Sequence, residues 1–491
     1  MDSKQLKGDV IKGLLWKALE NGGDQVITFV ISIILARLLG PSKYGTMSVM
    51  LIFIAVSNVI IQTGFQTSLI QKKDIDDTDY SSVFWLGLVI ALILFSIIFV
   101  ISPYIATYFG DNEINPMLRT LSVILFFGAA TSVLIAMVSR RMDFRIQCIA
   151  TIVADIISGI VGILAAIRGL GTWALVLQQL IKNLLLMILL MVLLKWAPKA
   201  SFSLSRVRVL FSYGWKVLVS GLIDTIYTNL YTPVISKLYD PTMVGFYTRA
   251  NQFPQIIANS AGSTMQAVLL PTFSKTQDDN KSTRVIMRRS LKMGSFILFP
   301  AMFGIMAVSE PMVKVILGDD WMGAVTLLRL CALGFAVWHI HIANLQAINA
   351  SGRSDIYLKL EIFKKIIGVL LLIVSIRLGV AGMIFVKALW DYVCTFINAY
   401  PNKKLNGYGP VSQWRDILPE FIAAAAMGVI TYGVGVVLMM VMPNASSFGM
   451  SLVILMIQIL TGIVSYILMS LLFKLESFYY ALDLVKGFIK K

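Results

Sequence analysis

The sequence predicts an all-α polytopic membrane protein of about 14 transmembrane helices, arranged as two pseudo-twofold-related six-helix lobes followed by two C-terminal helices. Three observations predict this fold class. The composition is strongly apolar, the apolar residues form long runs, and a pattern of turn and helix residues occurs twice, about 200 residues apart.

The composition excludes an ordinary soluble protein. Of the 491 residues, 57% are hydrophobic and only 14% are charged, and the mean hydropathy is +0.80. Nearly uncharged runs of about 20 residues, which are long enough to cross about 30 Å of hydrocarbon as helix, can be placed 14 times. The predicted spans are 12–38, 43–70, 80–103, 116–139, 146–167, 172–195, 209–238, 242–272, 285–309, 322–350, 356–376, 380–400, 416–442 and 447–473.

The positive charges predict the orientation of these spans. The net charge is +16. When cations toward the end of a span are counted with the adjacent loop or terminus, 30 of the 42 Lys and Arg residues fall at the termini and in even-numbered loops, with 7 in odd-numbered loops and 5 within spans. Because basic loops stay on the cytoplasmic side, both termini are predicted to be cytoplasmic. The basic balance therefore indicates contact with anionic membrane lipids, and no nucleic-acid partner is expected.

An internal repeat is the third observation. The turn "ARLLGPSKYG" at 36–45 matches "SKLYDPTMVG" at 236–245, with Pro41 and Gly45 recurring as Pro241 and Gly245. Upstream, "WKALENGGD" resembles "WKVLVSGLID", so an aromatic residue, a lysine and an aspartate recur as well. Two diverged copies of one helical unit explain this pattern.

The repeat predicts the domain organisation. An even number of spans per copy gives both copies the same orientation, related by an axis along the membrane normal. We expect an N-terminal lobe at 1–205, a C-terminal lobe at 206–405, two accessory spans at 406–475 and an interfacial cytoplasmic tail at 476–491.

Ionisable residues inside apolar spans are costly and mark a cavity or a partner. In the first span, Lys17, Glu20 and Asp24 are three and four residues apart and share one helical face. The seventh span repeats this theme with Lys216, Asp224 and Tyr227. Spans two and eight carry further polar rows, which comprise Asn58, Gln62 and Gln66 in span two and Arg249, Gln252 and Asn259 in span eight. We predict that the four rows line one polar cavity.

A structural role is the alternative for such residues, since polar groups also join helices to each other. We favour it for Lys387 with Asp391, and for Asp155 with Lys182. For the duplicated pairs Lys17/Lys216 and Asp24/Asp224 we favour function. The three cysteines and two histidines predict neither a disulfide framework nor a metal site, and no catalytic residue is expected.

The predicted spans, the turn "ARLLGPSKYG" and the segment "GFYTRANQFPQI…VLLPTFSK" within 245–275 resemble the polysaccharide exporters of the multidrug/oligosaccharidyl-lipid/polysaccharide (MOP) superfamily. The similar branch contains the Wzx-type flippases for colanic acid and teichuronic acid repeat units.

This resemblance implies a flippase that moves undecaprenyl-pyrophosphate-linked oligosaccharides from the inner to the outer leaflet of the bacterial cytoplasmic membrane by alternating access. It implies no cofactor, with H⁺ or Na⁺ as candidate coupling ions. Lipid-linked oligosaccharide is the expected cargo, and a polysaccharide polymerase and glycosyltransferases are candidate protein partners.

The polar rows suit that cargo. Cations can hold a pyrophosphate, which assigns Lys17, Lys216 and Arg249 to it. Amides and tyrosines can bond sugar hydroxyls, while Asp24, Asp224 and Glu20 are candidates for ion coupling and gating. Two alternatives are a MATE-like drug or cation antiporter, whose cargo these cations would repel, and a membrane-embedded polysaccharide polymerase or glycosyltransferase, which needs a larger outer loop.

Overall fold

A computed structural model describes residues 3–276, 279–442 and 447–489, and within these residues it contains helices and no strand. The first two and last two residues of the predicted cytoplasmic termini lie outside the described residues. The α-helices are α1 (Ser3–Asn58), α2 (Gly64–Gln71), α3 (Asp77–Phe109), α4 (Ile114–Leu121), α5 (Ile124–Arg141), α6 (Phe144–Ile167), α7 (Thr172–Leu194), α8 (Leu204–Asn229), α9 (Tyr231–Leu238), α10 (Pro241–Lys275), α11 (Asn280–Ile316), α12 (Ala324–Phe335), α13 (Trp338–Ala350), α14 (Ser354–Ser375), α15 (Gly379–Leu405), α16 (Pro410–Val441), α17 (Phe448–Leu472) and α18 (Glu476–Ile489).

The predicted turn after the first span is a kink inside α1. Gly40 has φ 72° and ψ 175°, and Pro41 follows it. Glycine tolerates a positive φ, and proline fits the first turn of a helix because its missing N–H would have no partner there. The second copy of the turn breaks the helix fully, since Tyr239 and Asp240 separate α9 from α10. Asp240 Oδ1 accepts a hydrogen bond from Met243 N–H at 3.0 Å.

The apolar helices confirm the predicted all-α polytopic membrane fold, but not the count of 14. Among the described residues, ten helical segments are long and apolar enough to cross a membrane, or eleven if the bent pair Leu204–Phe211 and Gly214–Leu238 is one span. Two of these segments, Leu19–Gln71 and Ser354–Leu405, each contain two predicted spans in 53 and 52 residues. The predicted eighth span lies in α10, whose polar residues keep it out of this set.

The chain forms two compact units, Met1–Gly245 (unit 1) and Phe246–Lys491 (unit 2). In unit 1, a core between α2, α3, α5 and α7 surrounds Trp196, whose ring meets those of Tyr80 and Phe84 edge-on. In unit 2, Phe299 of α11 is fully buried and its ring centroid lies 5.2 Å from that of Phe421 on α16. The lobe boundaries inferred from the repeat stay a prediction.

Within unit 1 the two copies of the repeated turn meet each other. A Cβ atom on Gly45 would lie 1.7 Å from the carbonyl oxygen of Pro241, and one on Gly245 would lie 2.0 Å from that of Pro41. Only a residue without a side chain allows this backbone approach. The recurrence of Pro and Gly in both turns therefore has a packing cause.

A second close approach joins α2 to α8. A Cβ atom on Gly214 would lie 2.5 Å from the carbonyl oxygen of Gly64. Beside it, Ser68 Oγ is 2.8 Å from the carbonyl oxygen of Gly64 and 2.9 Å from that of Leu210. Small residues and a hydroxyl thus hold α8 against the first repeat.

Candidate functional site

Three helices of unit 1 contribute to an ionic cluster that consists of Asp24 on α1, Asp155 on α6 and Lys182 on α7. Lys182 Nζ lies 2.5 Å from Asp155 Oδ1 and 3.2 Å from Asp24 Oδ1. The Asp155 side chain is 2% exposed, while those of Lys182 and Asp24 are 26% and 36% exposed. Two carboxylates therefore share one lysine, at a place where one of them is buried and the other is accessible.

Lys17 and Glu20 form a separate pair one turn away on α1. Lys17 Nζ lies 2.7 Å from Glu20 Oε2, and Gln147 of α6 donates to Glu20 Oε1 at 2.8 Å. Glu20 is buried by these contacts. Glu20 and Asp24 thus lie on the face of α1 that meets α6, as their spacing suggested, but the cationic partner of Asp24 is Lys182 rather than Lys17.

The amides of the second span lie on a helix irregularity. Residues Val59–Thr63 form a π-helix, which contains Gln62 and begins directly after Asn58. Gln62 Nε2 donates to Asn58 Oδ1 at 3.4 Å. Both side chains lie against Gly128 of α5, where a Cβ atom would come within 2.8 Å of Asn58 Oδ1. Such π-helical turns are frequent at functional sites.

The structure places the remaining predicted residues on α2, α8 and α10. Gln66 and Tyr227 are half-buried, and Lys216 and Asp224 are exposed on α8 of unit 1. In unit 2, Arg249 of α10 is buried and its Nη1 donates to Gln252 Oε1, one turn further along the helix. Asn259, two further turns along α10, is exposed.

Unit 2 contains a buried amide network that sequence analysis did not predict. It consists of Asn344 on α13, Asn402 on α15 and Gln413 on α16. Asn344 Nδ2 donates to Gln413 Oε1 at 2.8 Å, while Asn344 Oδ1 accepts from Asn402 Nδ2 at 2.8 Å and from Gln413 Nε2 at 2.9 Å. The only sequence signal was the presence of amides in apolar helices, and Asn344 is 58 and 69 residues from its two partners.

The histidines and the pair on α15 have local partners in unit 2. His339 Nε2 lies 2.8 Å from Ser295 Oγ, and His341 Nδ1 lies 3.0 Å from Asn398 Nδ2. Lys387 Nζ lies 3.3 Å from Asp391 Oδ2, one helical turn away, which confirms that predicted pair. Across the part of the chain that the structure describes, no group of three or more His, Cys, Asp or Glu residues could hold a metal ion.

Comparison with known proteins shows to which family the chain belongs. A family model described as "Polysaccharide biosynthesis protein" matches residues 34–326. The chain belongs to this family. This match confirms the predicted resemblance to proteins of polysaccharide biosynthesis.

Curated proteins from three bacteria are similar to most of the chain. The succinoglycan biosynthesis transport protein ExoT of Rhizobium meliloti (strain 1021) is 29% identical over 324 residues, which cover 66% of each chain. The lipopolysaccharide biosynthesis protein WzxC of Escherichia coli (strain K12) is 23% identical over 88% of this chain and 89% of its own length. The teichuronic acid biosynthesis protein TuaB of Bacillus subtilis (strain 168) is 22% identical over 87% and 89%.

Two solved structures share the fold. A structure of the lipid II flippase MurJ in an inward closed conformation matches with a TM-score of 0.76 and 16% identity, over 96% of this chain and all of that chain. An inward-facing multidrug resistance MATE family transporter of the MOP superfamily matches with a TM-score of 0.61 and 15% identity, over 77% and 94%. This family member is thus a multi-pass membrane protein that shares the fold of these two solved structures.

Proposed function

We propose that the protein is a flippase that moves undecaprenyl-pyrophosphate-linked oligosaccharide repeat units from the inner to the outer leaflet of the bacterial cytoplasmic membrane. The observation that carries this proposal is the set of charged and amide side chains on otherwise apolar helices, in a chain of the polysaccharide biosynthesis protein family. Ionisable groups at membrane depth mark transport pathways. Alternating access would carry the cargo between the leaflets.

Three cations are the proposed pyrophosphate ligands. Lys216 is exposed on α8 and available to an anion. Arg249 is held by Gln252, so its guanidinium is oriented before cargo arrives. Lys17 is paired with Glu20, and cargo would have to compete with that carboxylate. The amides and the tyrosine are the proposed hydrogen-bond partners of the sugar hydroxyls. They are Asn58, Gln62, Gln66, Tyr227, Gln252 and Asn259.

Ion coupling is assigned to Asp24, with Glu20 and Asp224 as gating carboxylates. When both carboxylates are ionised, the two acids and one lysine of the ionic cluster carry one net negative charge among three helices. A bound H⁺ or Na⁺ would neutralise it and compete with Lys182 for Asp24. An ion that weakens the contact between Lys182 and Asp24 would favour one arrangement of the three helices over another. Ion coupling requires such a difference in ion binding between two conformations.

Transport is tested in proteoliposomes loaded with a labelled polyprenyl-pyrophosphate oligosaccharide. We expect protein-dependent movement of the label between leaflets with no change in its mass, and no movement in protein-free liposomes. Lys216→Met and Arg249→Gln should abolish movement while the protein stays folded. A changed cargo mass would indicate an enzyme, and transport of cationic drugs alone would indicate an antiporter; either result contradicts the proposal.

The coupling role is tested by Asp24→Asn and Asp224→Asn. Because the Asp24 side chain is 36% exposed, its substitution should leave folding nearly intact but remove the dependence of transport on the ion gradient. Full transport with unchanged ion dependence in both variants would show that these carboxylates are structural.

Cytoplasmic termini are part of the proposal and follow from the basic loops. Lys73→Cys and Lys281→Cys should resist an impermeant thiol reagent in intact cells, whereas Asp320→Cys, in a predicted external loop, should react. The three native cysteines are buried, which keeps the background low. Labelling of the first two positions from outside would overturn this orientation.

A further inference from the structure

A cavity of about 290 Å³ lies in unit 2 between residues 285–293 of α11 and the N-terminal residues of α18. Its polar wall consists of Arg288, Arg289 and Lys292 from α11 and Glu476, Ser477 and Tyr480 from α18. We call it the basic pocket. Its volume is close to the lower end of the range of small-molecule sites, about 300 Å³.

The charge of the pocket comes from the start of α11. Residues 280–292 contain five cations and no acid, and three of these cations line the cavity. Such a run of cations is typical of the end of a membrane helix, where lysine and arginine side chains contact lipid headgroups. A concave site with this charge favours a ligand with several anionic oxygens.

Glu476 already shows where an anion binds. Its Oε2 lies 2.9 Å from Lys292 Nζ and 3.5 Å from Arg288 Nη1. The hydrogen bond from Lys292 holds the pKa of the Glu476 carboxyl below its usual value, so the group is charged. One carboxylate oxygen thus lies between two cations, as an oxygen of a phosphate would.

The cations exceed the acids that face them. Arg288 Nε is also 3.0 Å from Asp416 Oδ1, so Glu476 and Asp416 together balance two of the three cations. The third, Arg289, has its guanidinium 5.1 Å from the centre of the Tyr480 ring and has no carboxylate within ion-pair distance among the described side chains. One positive charge in the pocket remains for a ligand.

Apolar side chains continue from the pocket along α11. Val285 and Met293 line the cavity itself, and Ile297, one turn beyond Met293, is exposed. On α18, Tyr479 and Leu482 are exposed beside the pocket wall, as in a helix that lies in a membrane interface. A cationic pocket followed by exposed apolar side chains fits a phosphate with attached acyl chains better than a free phosphate.

We propose that the basic pocket binds the phosphate headgroup of an anionic phospholipid. The phosphate contacts Arg289 and Lys292 and displaces the Glu476 carboxylate, while an acyl chain lies along Met293 and Ile297. We expect α18 to keep its position when the phosphate replaces the Glu476 carboxylate, because Ser477 Oγ also donates a 2.6 Å hydrogen bond to the buried Glu420 on α16. This site is separate from the proposed cargo residues and does not depend on the transport role.

The test uses the purified full chain in detergent, with the midpoint of thermal unfolding measured against added phosphatidylglycerol, phosphatidylcholine or inorganic phosphate. Wild type should be stabilised by phosphatidylglycerol only. Arg289→Gln/Lys292→Gln should lose most of this shift. The control Lys281→Gln/Arg284→Gln removes the same charge from the same helix outside the pocket and should keep it.

Glu476→Gln provides a test in the opposite direction. Without the competing carboxylate, the phosphatidylglycerol concentration that gives half the shift should fall on the order of tenfold. An equal shift with phosphatidylcholine, an equal shift with inorganic phosphate, an unchanged response of the Arg289→Gln/Lys292→Gln variant, or no gain in Glu476→Gln would each overturn the proposal. Native mass spectrometry of the same samples checks that the lipid is bound.

Discussion

The ionic cluster of unit 1 and the amide network of unit 2 both place polar groups inside apolar helices, but they differ in charge. In the ionic cluster, Lys182 is shared by two carboxylates and the Asp24 side chain stays accessible. In the amide network, Asn344, Asn402 and Gln413 are fully buried and neutral, and they satisfy one another.

This difference separates a group that can respond to an ion from one that cannot. A neutral amide has no protonation change near physiological pH and attracts a cation weakly, so a satisfied network of amides mainly fixes the packing of α13, α15 and α16. An accessible carboxylate that shares its lysine can exchange that partner for an ion. We therefore expect substitutions in the ionic cluster to change transport and those in the amide network to change stability alone.

The largest effect is expected for Lys182→Met. Its removal leaves the buried Asp155 carboxylate without a cation, which typically costs about 3 kcal/mol or more in free energy of unfolding, and transport should be lost as well. Thermal unfolding in detergent and the proteoliposome assay measure the two effects. The double variant Lys182→Met/Asp155→Asn should regain part of the stability but not the ion-dependent transport.

The matched control for Lys182 is Lys387→Met in unit 2. Lys387 pairs with Asp391 on its own helix, and both side chains are about one-third exposed, so the expected loss is about 1 kcal/mol or less. Equal destabilisation by the two substitutions would remove the distinction between the ionic cluster and an ordinary pair within one helix.

A smaller effect, on stability alone, is expected for Asn344→Ala. The substitution leaves the buried Gln413 Oε1 without its donor, at a cost of about 2 kcal/mol, while Asn402 Nδ2 and Gln413 Nε2 keep the backbone carbonyl oxygens of Asn344 and Tyr408 as partners. Transport by the folded protein should keep its ion dependence. Asn183→Ala is the control, because the Asn183 amide donates to the carbonyl oxygen of Gln179 on the same helix and its loss should be nearly neutral. Altered ion dependence in Asn344→Ala would make the amide network part of the coupling machinery.

The sequence predicts the features that depend on local residue types. The helices follow from apolar runs, and the break at Gly40 and Pro41 follows from the conformations these two residues prefer. The pairs within one helix, such as Lys387 with Asp391, follow from a spacing of four residues. The number of spans is less predictable, since polar residues in α10 and merged helices obscure where one crossing ends.

Tertiary partners could not be predicted from the same sequence. Asp24 and Lys182 are 158 residues apart. Helical periodicity predicts that Asp24 lies on a polar face of its helix, but it does not predict which helix packs against that face. Asn344 and Gln413 are 69 residues apart, and nothing local relates them. The π-helix at Val59–Thr63 depends on how α1 and α2 pack against α5 and α8, which the residue types alone do not determine.

The smallest effect concerns a third kind of polar contact, an ion pair outside the apolar spans. Asp76 precedes α3, and its Oδ1 lies 2.5 Å from Arg206 Nη1 on α8. The hydrogen bond from Arg206 lowers the pKa of the Asp76 carboxyl. Because this pKa lies below its unfolded value of about 3.9, the pair stabilises the fold above about pH 4 and loses that contribution as pH falls through the folded pKa.

Asp76→Asn isolates this contribution, since asparagine also caps a helix and can keep the hydrogen bond that Asp76 Oδ1 accepts from Asp79 N–H at 3.0 Å. At pH 7 the variant should unfold at a slightly lower temperature than wild type. The difference should shrink as pH falls below about 4, where the unfolded wild-type carboxyl binds a proton, and should be lost below the lowered pKa of the folded carboxyl. It should be far smaller than for Lys182→Met, because water screens the exposed pair and Arg206 still has Asp79 at 3.6 Å. A difference that persisted unchanged in acid would mean that Asp76 acts through its cap rather than its charge.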